Sequence, residues 1–201
     1  MATIYLIRHA QSRPRWSEPQ MTWRLSATGR AQAARLAGLL RPLGIRHVFS
    51  SPYARSLETA DPFARQESLR VSIRSDLGER VLPVRGGHDL RDAWSRSWED
   101  FEYAPPGGEP SLGAQARICA AIDQIAGVIS GPAAVFTHGH VIGLLLNSLD
   151  ATVGRAAAEA LRNPDVLCVE SSREGLRWHR EFALPELERI ATPHARTPWE
   201  E

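Results

Sequence analysis

The sequence predicts an α/β fold, a three-layer α/β/α sandwich around a mostly parallel central sheet. Three observations lead there. Short apolar runs at 2–8, 46–50, 70–73 and 133–137 have the length of strands. Segments of helical periodicity separate them. Charged and imidazole side chains stand just past these runs, where open parallel sheets bind ligands.

In the first run, Ile4, Tyr5, Leu6 and Ile7 read as a central strand, because a strand covered on both faces needs no alternation. A polar, proline-containing loop follows from Gln11 to about Arg24. From Ser26 the pattern turns helical: Ala33, Leu36, Ala37 and Leu40 share one face, and Pro42-Leu43-Gly44 ends it. After the strand at 46–50, Ser51-Pro52 reads as N-cap and first residue of a helix to about Gln66, with Pro62 set to kink or divide it. Residues 80–112 are the least regular and read as a lid or substrate insertion; glycines and prolines bracket a helix with Trp94, Trp98 and Phe101. A long helix follows, with the stripe Ile118, Ile122, Ile125 and Ile129. His138-Gly139 opens an apolar helix to about Leu149, and a short helix is expected near 155–162. Asn163-Pro164 breaks the pattern before strands near 165–170 and 175–182. One domain over 1–184 is expected, with a loosely held, proline-marked tail at 185–201.

Composition sets limits. The net charge of +1 gives no electrostatic footprint for nucleic acid. No apolar run approaches the roughly 20 residues that cross a bilayer, and the N-terminal run is too short for a signal peptide, so a cytoplasmic protein is expected. Cys119 and Cys168 lie in apolar stretches without metal-ligand spacing and read as reduced, buried thiols. All 24 basic residues are arginine. That excludes lysine-dependent chemistry, and it weakens any single arginine as a sign of a site.

Position restores some of that weight. Arg8-His9 follows the first strand, Ser51-Pro52 and Arg55 the second, Glu79 the third and His138-Gly139 the fourth. Two arginines, two histidines and a carboxylate thus converge on one sheet edge, and forked guanidinium donors suit phosphate oxygens. Gln11, Ser12 and Gly139 are further candidates for phosphate or substrate contact. Arg13, Arg15, Arg24 and Arg85 are weaker candidates for the rim. Asp76, Asp89 and Glu99 are alternatives to Glu79. His140 either faces solvent from the first turn of its helix or supports the site. Trp16, Trp23, Trp94 and Trp98 read as packing, and His47, His88, His179 and His194 as structural or exposed.

The segment Leu6-Ile7-Arg8-His9-Ala10-Gln11-Ser12 resembles the opening signature of the histidine phosphatase superfamily, in its phosphoglycerate-mutase-like branch. The resemblance continues in order through Leu25–Ala33, Ser50–Ala60, Leu77-Gly78-Glu79, Pro106-Gly107-Gly108-Glu109 and Thr137-His138-Gly139-His140. It implies a phosphoglycerate-mutase-like fold and hydrolysis of a small phosphorylated metabolite through phosphohistidine, with no metal or cofactor. His9 would be the nucleophile, Arg8, Arg55 and His138 the phosphate pocket, and Glu79 the proton donor. His138, if protonated, would add charge to that pocket. A backbone carbonyl is expected to fix the His9 tautomer. Ala10 stands where glycine is usual, and Pro110 follows Glu109 where serine is more common. His138-Gly139 in place of His-Asp points away from the acid-phosphatase branch. Competing expectations are a phosphoglycerate-type mutase, whose cofactor-dependent members carry a longer insertion and tail, and a non-catalytic phospho-ligand-binding member, which would lack a core residue. The resemblance also allows a homodimer; the substrate is not legible.

Overall fold

The computed structural model describes residues 1–83 and 87–192. Arg85, His194, the side chain of His88 and the expected tail beyond Thr192 lie outside the described residues. Six strands form one sheet: β1 (Ala2–Arg8), β2 (His47–Ser50), β3 (Val71–Ile73), β4 (Ala133–Thr137), β5 (Asp165–Ser172) and β6 (Gly175–Trp178). Their order is β3-β2-β4-β1-β5-β6. The β3–β2, β2–β4 and β4–β1 pairs are parallel, whereas β5 runs antiparallel to both β1 and β6. The helices are α1 (Ala27–Leu40), α2 (Ala54–Gln66), α3 (Gly87–Glu99), α4 (Ser111–Val128), α5 (Gly139–Leu149) and α6 (Arg155–Ala160).

Strand alternation divides the core between two faces. Ile4, Leu6 and Val135 pack with Ile118, Ile122 and Ile125 of α4 and Val141, Ile142 and Leu145 of α5. Ile7, Ala134 and Phe136 point the other way, onto Leu36 and Leu40 of α1 and Ala60 and Phe63 of α2. The predicted three-layer sandwich follows, with β4 buried at every residue.

Register then makes the functional edge. Arg8 pairs with Thr137, and Ser50 with Phe136, so β1, β4 and β2 end level. The ladder runs one residue further: His9 N–H donates to the Thr137 carbonyl at 3.1 Å, and Ser51 N–H to that of Phe136 at 3.0 Å. His9, Ser51 and His138 therefore leave neighbouring strands at one height.

Several expectations change. The helix after β2 starts at Ala54, with Tyr53 at its N-cap, because the Ser51 hydroxyl accepts from the Tyr53 amide and meets His138. Pro62 neither divides nor ends α2, whose neighbouring Thr59, Ala60, Phe63 and Ala64 are buried against the core. Ile129 lies just past α4, its N–H on the Ile125 carbonyl. β6 stops at Trp178, where Phe182 N–H turns back to the His179 carbonyl. The expected loose tail is packed as far as it is described. Leu184, Leu187 and Ile190, spaced by three, are buried in the α1–α2 core, and Thr192 exchanges two backbone bonds with Asn163.

Gly29, in the first turn of α1, fixes the loop after His9. A Cβ there would lie 1.9 Å from the Gln11 carbonyl oxygen. That oxygen also accepts the Ser26 amide, and Ser26 caps α1, so it cannot move without loosening the helix start. Gly29→Ala should destabilise the protein by about 1–3 kcal/mol despite better helix propensity. An unchanged urea midpoint would show that the loop yields freely.

Candidate active site

His9 is buried, and two neighbours independently set its tautomer. Its Nδ1 lies 2.7 Å from the Ala10 carbonyl oxygen, which only accepts, so Nδ1 carries the proton. Arg55 Nε donates to its Nε2 at 3.0 Å, and a guanidinium only donates, so Nε2 carries the lone pair. The ring is neutral, with the Nε2 lone pair turned toward a cation. The Ala10 carbonyl is the tautomer-fixing acceptor expected from sequence. Asn163 Nδ2 donates to the His9 carbonyl at 2.8 Å, and the Ala10 amide donates to Thr59 Oγ1 at 3.0 Å. These contacts hold the backbone that carries the ring.

Arg8 and Arg55 are buried as well. Burial, acting first, pushes both guanidiniums down to about 10, and the charge of Glu79 opposes the shift. Both stay cationic near neutrality. Arg8 Nη1 is anchored on the Leu161 carbonyl, and Arg55 Nη1 on that of Gln20 at 2.7 Å. Gly139 is required by close approach: a Cβ would lie 2.8 Å from Arg8 Nε.

His138 sits at the N-cap of α5 with no exposed surface, its ring 5.3 Å from that of His9. Its Nε2 meets Ser51 Oγ at 2.8 Å. Burial holds it well below the usual histidine range, reinforced by Arg55, His9 and Arg8. The resting ring is neutral. A protonated His138 therefore requires a bound anion to offset those charges.

Glu79 reaches the same end of α5. Its carboxylate accepts from the amides of His140 at 3.3 Å, Val141 at 3.2 Å and Arg80 at 2.9 Å, a carboxylate placed at a helix N-terminus. Of its rivals, Asp76 is paired with Arg74, while Asp89 and Glu99 are exposed. The edge thus brings together Arg8, His9, Arg55, Glu79, His138 and Gly139. Gln11 and Ser12 lie in the adjoining loop: Gln11 Oε1 accepts from the Ser26 hydroxyl at 2.7 Å, and Ser12 bridges to Leu25. Arg15 and Arg24 form exposed ion pairs with Glu18 and Glu58.

Sequence reasoning placed Ser51 past the second strand but read its hydroxyl as a helix cap, and it missed Tyr53, Thr59 and Asn163 as parts of the site. Tyr53 lies edge-on to His138, with ring centroids 4.7 Å apart, and under Arg55 at 4.8 Å. His140 does not face solvent. It is buried against both Trp94 and Trp98, with ring centroids 4.2 and 5.5 Å away. Burial and then Arg80 hold its ring well below the usual histidine range.

Among the described residues, no group of three or more His, Cys, Asp or Glu side chains is placed to hold a metal ion. Both cysteines are unbridged, and burial raises both thiols, that of Cys168 to about 11. Among the described residues, no helix is long and apolar enough to cross a membrane.

Two buried guanidiniums beside a neutral imidazole, at the carboxyl edge of a parallel sheet in an α/β fold, have the chemistry to receive an oxyanion. The chain belongs to the histidine phosphatase superfamily (branch 1), whose pattern it matches over residues 4–182. An uncharacterized protein of Mycobacterium tuberculosis is 38% identical over 112 residues, 50% of this chain and 52% of that protein. The chain thus spans about half the length of that relative. A probable phosphoglycerate mutase of Escherichia coli is 27% identical over 161 residues, 74% of this chain and 75% of that one. In fold, the chain is similar to a mycobacterial glucosyl-3-phosphoglycerate phosphatase, with TM-score 0.73 and 22% identity over 88% of this chain and 95% of that one. It is similar also to a putative alpha-ribazole-5'-P phosphatase of Escherichia coli, with TM-score 0.69 and 21% identity over 89% and 94%.

Proposed function

We propose that this protein is a phosphomonoester hydrolase acting on a small phosphorylated metabolite through a phosphohistidine at His9, without a metal ion. The observation that carries this reading is the His9 tautomer, with Nδ1–H held by the Ala10 carbonyl and the Nε2 lone pair directed at Arg55.

The substrate's phosphate oxygens take over the donors of Arg55 and Arg8, and the Nε2 lone pair turns from Arg55 to phosphorus. In-line attack forms the N–P bond as the ester P–O bond breaks. Glu79, in its protonated form, gives the leaving oxygen its proton. Arg8 and Arg55 stabilise charge on the equatorial oxygens, and His138 adds a further donor once the bound dianion favours its protonation. Glu79, now a carboxylate, takes a proton from water as that water attacks phosphorus and the N–P bond breaks.

The test is to mix the protein with a chromogenic phosphate ester in the presence of chelator. Inorganic phosphate release, with a base-stable, acid-labile phosphoryl adduct on His9, is expected; no adduct on His9 would refute the reading. A second reading, return of the phosphoryl group to a bound alcohol, is favoured by the Escherichia coli relative, a probable phosphoglycerate mutase. Comparing mutase turnover with phosphate release separates the two.

A further inference from the structure

The motif Pro106-Gly107-Gly108-Glu109 has no part in the mechanism above, yet it is fastened to the segment that carries Glu79. Gly107 takes a φ of 74°, and a Cβ on Gly108 would lie 2.9 Å from the Pro105 carbonyl oxygen. The two glycines thus make a turn, closed by Gly108 N–H on the Pro105 carbonyl at 2.7 Å, that leads into Glu109. The Glu109 carboxylate receives a two-pronged contact from Arg117 of α4: Nε to Oε1 and Nη2 to Oε2, each 2.8 Å. Arg117 Nη1 donates to the carbonyls of Asp76 at 2.7 Å and Gly78 at 2.9 Å. On the far side of Glu79, Arg80 Nε donates to the Glu109 carbonyl at 2.7 Å, and the Glu109 amide donates to the Val81 carbonyl at 2.9 Å.

Glu79 is therefore bracketed. Residues on both sides of it are bound to one arginine–glutamate pair, whose side chains are only 24% and 21% exposed. A planar fork on a carboxylate, with its remaining donor on two carbonyls, fixes direction as well as distance.

We propose that Arg117 and Glu109 are positioning residues for Glu79, holding its carboxyl at the N-terminus of α5. This rests on Glu79 being the proton donor. The pair touches no reacting atom and acts only through that carboxyl. An arginine–glutamate pair that merely supported the fold would slow every substrate alike. One that positions a general acid slows only those substrates whose leaving group needs a proton.

The experiment measures single-turnover cleavage of 4-nitrophenyl phosphate, whose leaving group needs no proton, and of glycerol 2-phosphate, whose leaving group does. Glu79→Gln should slow the glycerol ester by roughly 10²- to 10⁴-fold and Arg117→Met by up to as much, with the nitrophenyl ester slowed far less. In the double variant, Arg117→Met should add no further loss. Glu109→Gln, which keeps the shape of the contact, should show the same ester preference at smaller size, and it serves if Arg117→Met folds poorly. Equal slowing of both esters by Arg117→Met and Glu109→Gln, or full additivity with Glu79→Gln, overturns the proposal. A Glu79→Gln variant without ester preference overturns the assignment of Glu79 itself, and the clamp's role with it.

Discussion

His9→Ala should lower phosphate-ester turnover by on the order of 10⁴-fold or more and abolish the phosphoryl adduct. The size follows from the site's construction. On the proposed mechanism Arg8, Arg55 and Glu79 can still bind and polarise an ester, but the Nε2 lone pair that attacks phosphorus is gone. The variant leaves Arg55 Nε without its histidine acceptor, and water entering the vacated space supplies one. The fold should therefore survive, checked by its urea midpoint. Rates are compared on one ester at saturating concentration. Equal phosphate release by the variant and the parent would remove His9 from the chemistry and leave the pocket as a binding site only.

Most of the fold was legible because the strands that matter are the most buried. β1 and β4 are short apolar runs with no competing helical pattern, and the residues after them fall at the ligand edge by the geometry of parallel sheets. Arg8, His9, Arg55, Glu79 and His138 could all be placed at one edge for that reason. Their roles needed the resemblance to a family, since any one arginine is a weak sign among 24 and Asp76, Asp89 and Glu99 competed with Glu79. Residues acting through backbone contacts left less trace. Asn163 reads as a helix breaker before proline, yet its side chain holds the His9 carbonyl. Thr59 and Arg117 look like ordinary polar positions on amphipathic helices. The Ser51 hydroxyl satisfied a capping rule on paper, but the tertiary contact with His138 prevailed and moved the helix start to Ala54. Two signals were present and underused. The three-residue spacing of Leu184, Leu187 and Ile190 marked a packed segment, and the apolar helix after Gly139 implied that its first turn, with His140, was buried.

That buried turn should make the protein acid-labile. His138 and His140 are both held well below the ordinary histidine value of 6.5, burial being the first cause in each case. As pH falls below 6.5 the unfolded chain protonates both rings while the folded chain protonates neither. The unfolded state then binds more protons, so stability rises with pH and is lost on acidification. The loss begins near pH 6.5 and continues until the depressed folded-state values are reached. Two such groups give a slope that steepens below pH 6.5 toward a limit of about 2.7 kcal/mol per pH unit, a large share of a typical domain's stability. The Asp76 carboxyl, held below the ordinary carboxylate range first by its hydrogen bond from Arg74, contributes its loss at lower pH and leaves the histidine window distinct. The two rings can be separated by substitution. His140 packs against Trp94 and Trp98, and neither of its ring nitrogens has a hydrogen-bond partner among the described residues. His140→Phe therefore removes a titrating group without breaking a bond, and should halve that limit to about 1.4 kcal/mol per pH unit. Urea midpoints at intervals between pH 7.5 and 5.5 compare the two proteins over a range in which each slope averages about half its limiting value, since pH-independent packing changes shift the curve without altering its gradient. A parent protein whose midpoint is flat across that range, or a His140→Phe variant as steep as the parent, would mean that the ring is protonated or solvated in the folded state. The α3–α5 contact would then be open to water, and the neutral, enclosed histidine beside Glu79 would have to be abandoned.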